Sequence, residues 1–236
     1  MGISLIPGSF LARNAVHVRN ATNGLVLGRQ KLHLKPPGLR SLSRVAKRYG
    51  IQASAENLTQ QDGYSETLLN TFGYPKLESM DFTPVEGAEH IHDLNKPVPD
   101  RLREKFDLII DGGTTEHVFQ IGVALENCHK MLKPGGIMMS FVAADGWFGH
   151  GFFQTGPDVP WRYWHHCLGY EVIEAGAQER RGQQTYFEIP DPTGQKRGGV
   201  RSFKGPTMLL YVVRKPAEEK ENTSPVQGHY ISYPRI

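Results

Sequence analysis

One unit of the sequence, residues 106–142, restricts the fold more than any other. It begins with a short apolar run, Phe106–Asp111, as expected for a strand buried on both faces of a parallel sheet. An apolar stripe with helical spacing follows, formed by Val118, Ile121, Leu125, Cys128 and Leu132. The Lys-Pro-Gly-Gly stretch at 133–136 stops this helix, because proline and glycine do not continue it. A second apolar run at 137–142 completes a β-α-β unit.

The remaining segments repeat the alternation of strand and helix. Short apolar runs predict further strands at 24–28, 77–82, 89–94, 170–174 and 208–213. Three further helices are predicted. One covers 39–49 and ends at Gly50, a short one lies between Gly50 and Lys76 with Leu68, Leu69 and Phe72 apolar, and one covers 158–168, where Asp158 is a candidate N-cap. Strands that alternate with helices predict the α/β class. We expect a Rossmann-like open, mostly parallel seven-stranded sheet with helices on both faces and a small cap.

A chain of 236 residues can bury one large core, and we interpret residues 1–215 as a single domain. Segments 1–20, 50–76 and 145–160 are expected to form a cap over the carboxyl edge of the sheet. The polar tail at 216–236 is expected to be mobile.

Composition excludes several classes of protein. Charged residues make up 22% of the chain and the net charge is only +3, which argues against a nucleic-acid-coating protein. The basic residues between Arg40 and Arg48 are interpreted as a solvated helix face, and RNA modification stays a minor alternative. No apolar run is long enough to span a membrane. Cys128 and Cys167 form no C-x-x-C motif, so we expect a cytoplasmic protein without disulfides.

Three motifs in order resemble a known family. Phe106–Asp111, then Glu116-His117-Val118, then the Leu-Lys-Pro-Gly-Gly stretch at 132–136 are similar to the fourth strand, the following helix and the start of the fifth strand of class I S-adenosylmethionine (SAM)-dependent methyltransferases. The resemblance covers residues 24–213, with strong motifs only from 106 to 142. It implies SAM as the cofactor and methyl transfer as the reaction.

The resemblance also implies cofactor contacts. Six residues occupy the positions that contact the cofactor in this family: Gly28 under the methionine part, Asp81 at the ribose hydroxyls, Phe82 beside the adenine, Asp93 at the adenine amino group, and Asp111 with Gly112 under the transferred methyl. A carboxylate suits the two ribose hydroxyls because it only accepts hydrogen bonds.

The first loop departs from the family pattern. Gly28 is followed by Arg29, Gln30 and Lys31 instead of further glycines. Because SAM carries no phosphate, Arg29 could pair with its methionine carboxylate in place of a glycine-lined loop. The alternative is a methyltransferase-like scaffold or partner subunit that binds another ligand or none.

Two histidines are candidate catalytic bases. His117 lies in the first turn after the fourth strand and His150 in a glycine-rich and aromatic loop, and imidazole titrates near neutral pH. Structural roles, capping or packing for His117 and loop packing for His150, stay open. Phe153 and Gln154 of the same loop are expected to contact the acceptor.

The acceptor is expected to be a hydroxyl of a small molecule or of a glycan unit, because Asp-Gly-Gly at 111–113 is not the pattern of methylases that act on the amino groups of bases. The His-Ile-His-Asp stretch at 90–93 is interpreted as a strand end, and no metal is expected. The sequence leaves a homodimer open.

Overall fold

The computed structural model describes residues 2–180, 185–194, 203–218 and 224–232. The α-helices in these ranges are α1 (Leu5–Asn14), α2 (Pro36–Arg48), α3 (Glu66–Thr71) and α4 (Ile121–Met131). The strands are β1 (Gly2–Ile3), β2 (Asn23–Leu27), β3 (Lys31–Leu32), β4 (Lys76–Asp81), β5 (His90–Ile91), β6 (Phe106–Asp111), β7 (Leu132–Asp145), β8 (Glu171–Glu179), β9 (Tyr186–Glu188) and β10 (Thr207–Arg214). A π-helix, Val159–Cys167, and several short 3-10 helices complete the chain.

The main sheet confirms the predicted fold class. Its strand order is β5-β4-β2-β6-β7-β10-β8-β9. Neighbours are parallel from β5 to β7, whereas β10, β8 and β9 pair antiparallel. The described residues thus give an eight-stranded sheet instead of the expected seven, because β9 adds to the edge at β8. β1 and β3 form a separate two-stranded sheet.

Strand alternation gives the sheet two buried faces. Leu108 and Ile110 of β6 point to one core, while Ile109 points to the other, since successive side chains of a strand face opposite ways. The first core also receives Phe10 and Leu11 of α1, and both are fully buried. Residues 5–14, expected in a cap over the carboxyl edge, therefore pack on a face of the sheet.

The segment after β6 differs from the predicted single helix. A 3-10 turn, Thr115–His117, comes first and α4 begins only at Ile121. Thr114 does not cap a helix, because its hydroxyl donates to the carbonyl of Leu27 at 2.7 Å. The Lys-Pro-Gly-Gly stretch lies within β7, with Gly135 in a left-handed conformation at φ 77°.

The described part of the predicted tail contacts the domain. The amide of Gly228 donates to Asp158 Oδ1 at 2.7 Å. The Asp158 side chain therefore binds the segment around Gly228, and it does not cap the π-helix Val159–Cys167 that follows it. Arg162 Nε donates to the carbonyl of Val226 at 2.9 Å. Residues 219–223 and 233–236 lie outside the described residues, and the mobility of the tail stays a prediction. Among the described helices, none combines the length and the apolar character that crossing a bilayer requires.

Asp107 joins the amino ends of three parallel strands. Its Oδ2 accepts from the amide and hydroxyl of Thr22 and from the amide of Asn23 at the start of β2. Its Oδ1 accepts from Lys133 Nζ of β7 at 2.7 Å. Burial opposes ionisation of this carboxyl, but the hydrogen bonds from Lys133, Thr22 and Asn23 outweigh it and hold the pKa of Asp107 far below its usual range.

We expect Asp107→Asn to destabilise the protein by about 1–2 kcal/mol at neutral pH, because charge-assisted hydrogen bonds are lost. A carboxyl whose folded pKa is depressed stabilises above its unfolded pKa of about 3.9, and that stability disappears as pH falls toward the folded pKa. Urea unfolding at a series of pH values should therefore show a shallower acid dependence in the variant. The exposed Asp100, which pairs with Arg103 at the surface, provides the control Asp100→Asn, with an expected change in unfolding free energy below about 0.5 kcal/mol. If the unfolding free energy falls equally with decreasing pH in wild type and Asp107→Asn, the Asp107 carboxylate does not supply this stability.

Candidate active site

A cavity of about 420 Å³ opens where parallel strands end. Its lining includes six of the site residues predicted from sequence: Gly28, Arg29, Asp81, Phe82, Asp93 and His117. These follow β2, β4, β5 and β6, whose carboxyl ends meet at one edge of the sheet. This edge is where open α/β sheets bind ligands, and the volume is in the range of small-molecule sites.

Gly28 has a backbone that other residues rarely adopt. Its φ is +67°, which favours glycine because there is no Cβ to clash. The amide of Gly28 donates to the carbonyl of Met80 at 2.7 Å, which ties the turn to β4. A Cβ here would lie 3.2 Å from the hydroxyl of Thr114. One glycine thus supplies the tight turn at the mouth of the cavity.

Gln30 fills the space beside this turn. Its side chain is almost fully buried, and Nε2 donates to the carbonyls of Leu27 at 3.1 Å and Gly28 at 2.9 Å. A Cβ on Gly112 would lie only 2.4 Å from Gln30 Oε1, so the glutamine packs on a glycine at the end of β6. Within the described residues, Oε1 has no hydrogen-bond partner. Sequence reasoning missed this residue, since its only signal is its place where the family carries a glycine.

Asp81 and Asp93 present carboxylates to the cavity. Asp81 ends β4 and accepts a 3.3 Å hydrogen bond from the amide of Thr83. Asp93 accepts from the amide and side chain of Asn95 at 3.0 and 2.8 Å, and these bonds lower the pKa of its carboxyl. Phe82 is 70% exposed at the rim. Two acceptors, an exposed ring and a glycine turn fit an adenosyl group, which carries hydroxyls, an amino group and a flat base.

Asp111 and Gly112, predicted cofactor contacts, are not among the residues that line this cavity. Asp111 is fully buried. Its Oδ1 accepts from the amides of Gly113, Thr114 and Thr115, and its Oδ2 from the hydroxyl of Thr115 at 2.6 Å. Its carboxylate therefore fixes the turn that carries the following residues into the cleft.

Arg29 has partners other than the expected cofactor carboxylate. Its guanidinium donates to Glu66 at 2.6 Å and Asp62 at 2.8 Å and lies 3.7 Å from the ring centroid of Tyr64. The bond to Glu66, with that to Asp62, raises the pKa of Arg29. A second cavity, of about 600 Å³, lies between Arg29 and β4. Apart from Arg29, it is lined by none of the residues that sequence reasoning selected.

The structure brings together the two predicted catalytic histidines. The ring centroids of His117 and His150 are 4.9 Å apart. The loop that carries His150 is attached to the turn that carries His117, because the amides of Phe152 and Phe153 donate to the carbonyl of Glu116 at 2.9 and 3.2 Å. His117 lines the cofactor-sized cavity, whereas His150 lines a smaller cavity next to Trp147.

Glu116 is a member of this group that sequence reasoning did not assign a role. It is fully buried, and its Oε1 accepts from the amide of Ala143 at 3.3 Å and lies 3.8 Å from His150 Nε2. Burial and the charge of Asp111 raise the pKa of Glu116 to about 8. Burial lowers the pKa of His117 and of His150. The sequence signal for Glu116 was its place in the Glu116-His117-Val118 motif, directly before His117.

The group Glu116, His117 and His150 also meets the requirement for a metal ligand set, although no metal was expected from sequence. One nitrogen or oxygen of each side chain lies within 4.8 Å of the others. The stretch at 90–93 behaves differently, since His90 pairs with Glu78 and His92 with the carbonyl of Lys96.

The two predicted acceptor contacts have different surroundings. Phe153 packs near Phe119 and Phe152, with ring centroids 6.4 Å away in both cases. The side-chain carbonyl of Gln154 accepts from the amide of Trp147 at 3.0 Å. Phe153 thus belongs to an aromatic group with Phe119 and Phe152, while Gln154 stabilises the loop itself.

No family model matches the chain, but two curated proteins match over short stretches. The ubiquinone biosynthesis O-methyltransferase of Nitrobacter winogradskyi is 41% identical over 46 residues, which are 20% of this chain and 18% of that protein. The protein of the same name from Chelativorans sp. is 52% identical over 40 residues, 17% of this chain and 15% of that protein. The matches therefore span less than a fifth of these curated relatives.

Among solved structures, the N-methyltransferase NodS from Bradyrhizobium japonicum WM9 aligns with 89% of this chain and 95% of its own, at 17% identity and a TM-score of 0.45. The same protein in complex with S-adenosyl-L-homocysteine aligns over 88% and 84% of the two chains, at 15% identity and a TM-score of 0.41. Likeness at this level decides nothing about substrate or residue roles.

The topology agrees with what the motifs at 106–142 implied. Five strands run parallel, helices cover both faces, and the residues matching the cofactor positions cluster at the carboxyl edge. The chain thus has the Rossmann-like, mainly parallel α/β fold that its resemblance to class I S-adenosylmethionine-dependent methyltransferases implied.

Proposed function

We propose that this protein transfers a methyl group from SAM to a hydroxyl of a small molecule or a glycan unit. The observation that carries the proposal is the convergence of Gly28, Asp81 and Asp93 on one cavity, with His117 at its side. Each of these residues lies at the end of a strand or in the loop that follows, so the sheet sets their positions.

The residues of the cavity have separate parts in this proposal. Asp81 accepts from the ribose hydroxyls, Asp93 accepts from the adenine amino group, and Phe82 covers the base. The turn at Gly28 lets the backbone approach the amino-acid end. When bound, SAM supplies a methyl group on a positively charged sulfur.

In the proposed reaction, the acceptor binds on the side of His117 away from the cofactor. In this proposal His117 and His150, whose rings are in contact, face the acceptor oxygen, and the loop that carries His150 also contributes Phe152 and Phe153, whose rings pack with Phe119. Phe119 and Phe152 are more than half exposed, which suits a surface that an organic acceptor covers. The names of the two curated relatives, both O-methyltransferases, support an oxygen acceptor.

The test is titration of the purified protein with S-adenosylhomocysteine in a calorimeter. We expect one-to-one binding and, at a hundredfold excess over Kd, a rise in Tm of about 5–10 °C. NAD is the control ligand, since the cleft has no glycine-rich phosphate loop, and it should give neither signal. A folded protein with no heat and no shift would end the enzyme proposal.

That negative result would favour the second candidate, a methyltransferase-like scaffold without catalysis. Two observations support it. Gln30 occupies the space between the ends of β2 and β6, and Arg29 is held by Asp62 and Glu66. Both side chains would then belong to a cleft that no longer admits a cofactor.

A further inference from the structure

Two buried polar atoms beside the cleft lack hydrogen-bond partners. Within the part of the chain that the structure describes, neither Glu116 Oε2 nor His150 Nε2 has one. Both belong to the same group of side chains, and Glu116 is fully buried. Buried polar atoms are nearly always paired, with protein, water or an ion. Two unpaired polar atoms in one group of side chains indicate a shared binding partner for both.

The spacing of the group suits an ion as that partner. Two ligand atoms that each lie about 2.1 Å from one metal ion are at most about 4.2 Å apart. The ligand atoms of Glu116, His117 and His150 all lie within 4.8 Å of one another. The remaining gap is under an ångström, and His117 is an exposed side chain that can turn to close it.

The backbone around the group is already fixed. The carbonyl of Glu116 accepts from the amides of Phe152 and Phe153, which holds the His150 loop against the Glu116 turn. A Cβ on Gly151 would lie 2.8 Å from the carbonyl of Glu116 and 3.3 Å from His117 Nδ1. The loop therefore approaches closely because residue 151 is glycine, and binding an ion needs side-chain rotation only.

We propose that Glu116, His117 and His150 bind a divalent first-row transition-metal ion, such as zinc. Two imidazoles and one carboxylate select this class, because magnesium and calcium prefer oxygen ligands. An ion that replaces the proton of Glu116 also compensates the negative charges of the Glu116 and Asp111 carboxylates, both fully buried.

The role of the ion rests on the proposed function. Three protein ligands leave coordination positions open, and His117 also lines the cofactor-sized cavity. An acceptor hydroxyl bound to the ion beside the methyl group would lose its proton more readily. The two histidines then act on the acceptor through the ion and not as free bases.

The experiment uses the full chain, stripped of metal with a chelator and titrated with zinc chloride and with cobalt(II) chloride. We expect one ion per chain, and a cobalt absorption spectrum that reports nitrogen ligands. Glu116→Gln and His150→Ala should each weaken zinc binding at least tenfold. His92→Ala removes another histidine that lines the cleft and should leave zinc binding unchanged.

Binding of S-adenosylhomocysteine, measured in the same samples, separates this proposal from the proposed function. Zinc binding that depends on the three residues supports the metal site, whether or not the cofactor binds. Absence of a one-to-one zinc signal, or equal zinc affinity in wild type and variants, overturns it. If Glu116→Gln fails to fold, the zinc affinity of His117→Ala, a substitution at an exposed position, is compared with that of the wild type instead.

Discussion

Replacing Asp81 by alanine should weaken binding of S-adenosylhomocysteine by about 10- to 100-fold, the loss expected when hydrogen bonds to a charged acceptor are removed. Asp81 ends β4, and within the described residues its side chain accepts one hydrogen bond, from the amide of Thr83. It therefore has capacity for both ribose hydroxyls. The effect should be equal for 5′-methylthioadenosine, which retains the ribose but lacks the amino-acid end.

A matched control is Glu86→Ala. Glu86 lines the same cavity, but its carboxylate pairs with Lys31 Nζ at 2.6 Å. We expect its removal to change the affinity less than about threefold, because exposed ion pairs contribute little. Equal losses in Asp81→Ala and Glu86→Ala would mean that Asp81 contributes only general charge, and the ribose assignment would be abandoned.

Gln30→Ala should have the opposite effect and strengthen binding of S-adenosylhomocysteine by about tenfold. In the structure, the Gln30 amide occupies the carbonyls of Leu27 and Gly28 at the floor of the cleft. These are acceptors that the ammonium group of the ligand could use. The buried Oε1 without a partner means that this arrangement has an uncompensated cost, so displacement of the side chain is favourable.

The comparison ligand for Gln30→Ala is again 5′-methylthioadenosine. It has no ammonium group, and its affinity should stay within about twofold of the wild-type value. Calorimetry of the two ligands gives the answer directly. Weaker binding of S-adenosylhomocysteine with unchanged 5′-methylthioadenosine would show that Gln30 contacts the ligand and does not compete with it.

The strands were predictable where local pattern decides them. β6 and β10 are apolar runs that are buried on both faces, so their composition alone distinguishes them from amphipathic elements. α2 was predictable because its apolar stripe has helical spacing and a glycine follows it. β9 was missed because three residues paired to one edge carry too little pattern.

The site was predictable only in part, because its residues meet through tertiary contacts. Asp81 and Gly28 followed from strand ends and a family resemblance. The roles of Gln30 and Glu116 depend on what lies opposite them, namely Gly112 and the His150 loop, and no local spacing encodes that. The partners of Arg29 come from the segment around Asp62 and Glu66, whose path the sequence did not define.

Under the proposed function, the hydrogen bonds between the Glu116 carbonyl and the amides of Phe152 and Phe153 bear on the order in which the methyl donor and the acceptor bind. An acceptor that displaces this loop also displaces the turn holding His117, which borders the cofactor cleft. Entry of the second substrate is thereby linked to the shape of the first substrate's site. Such a connection favours a compulsory sequence, with the methyl donor seated before the acceptor closes over it.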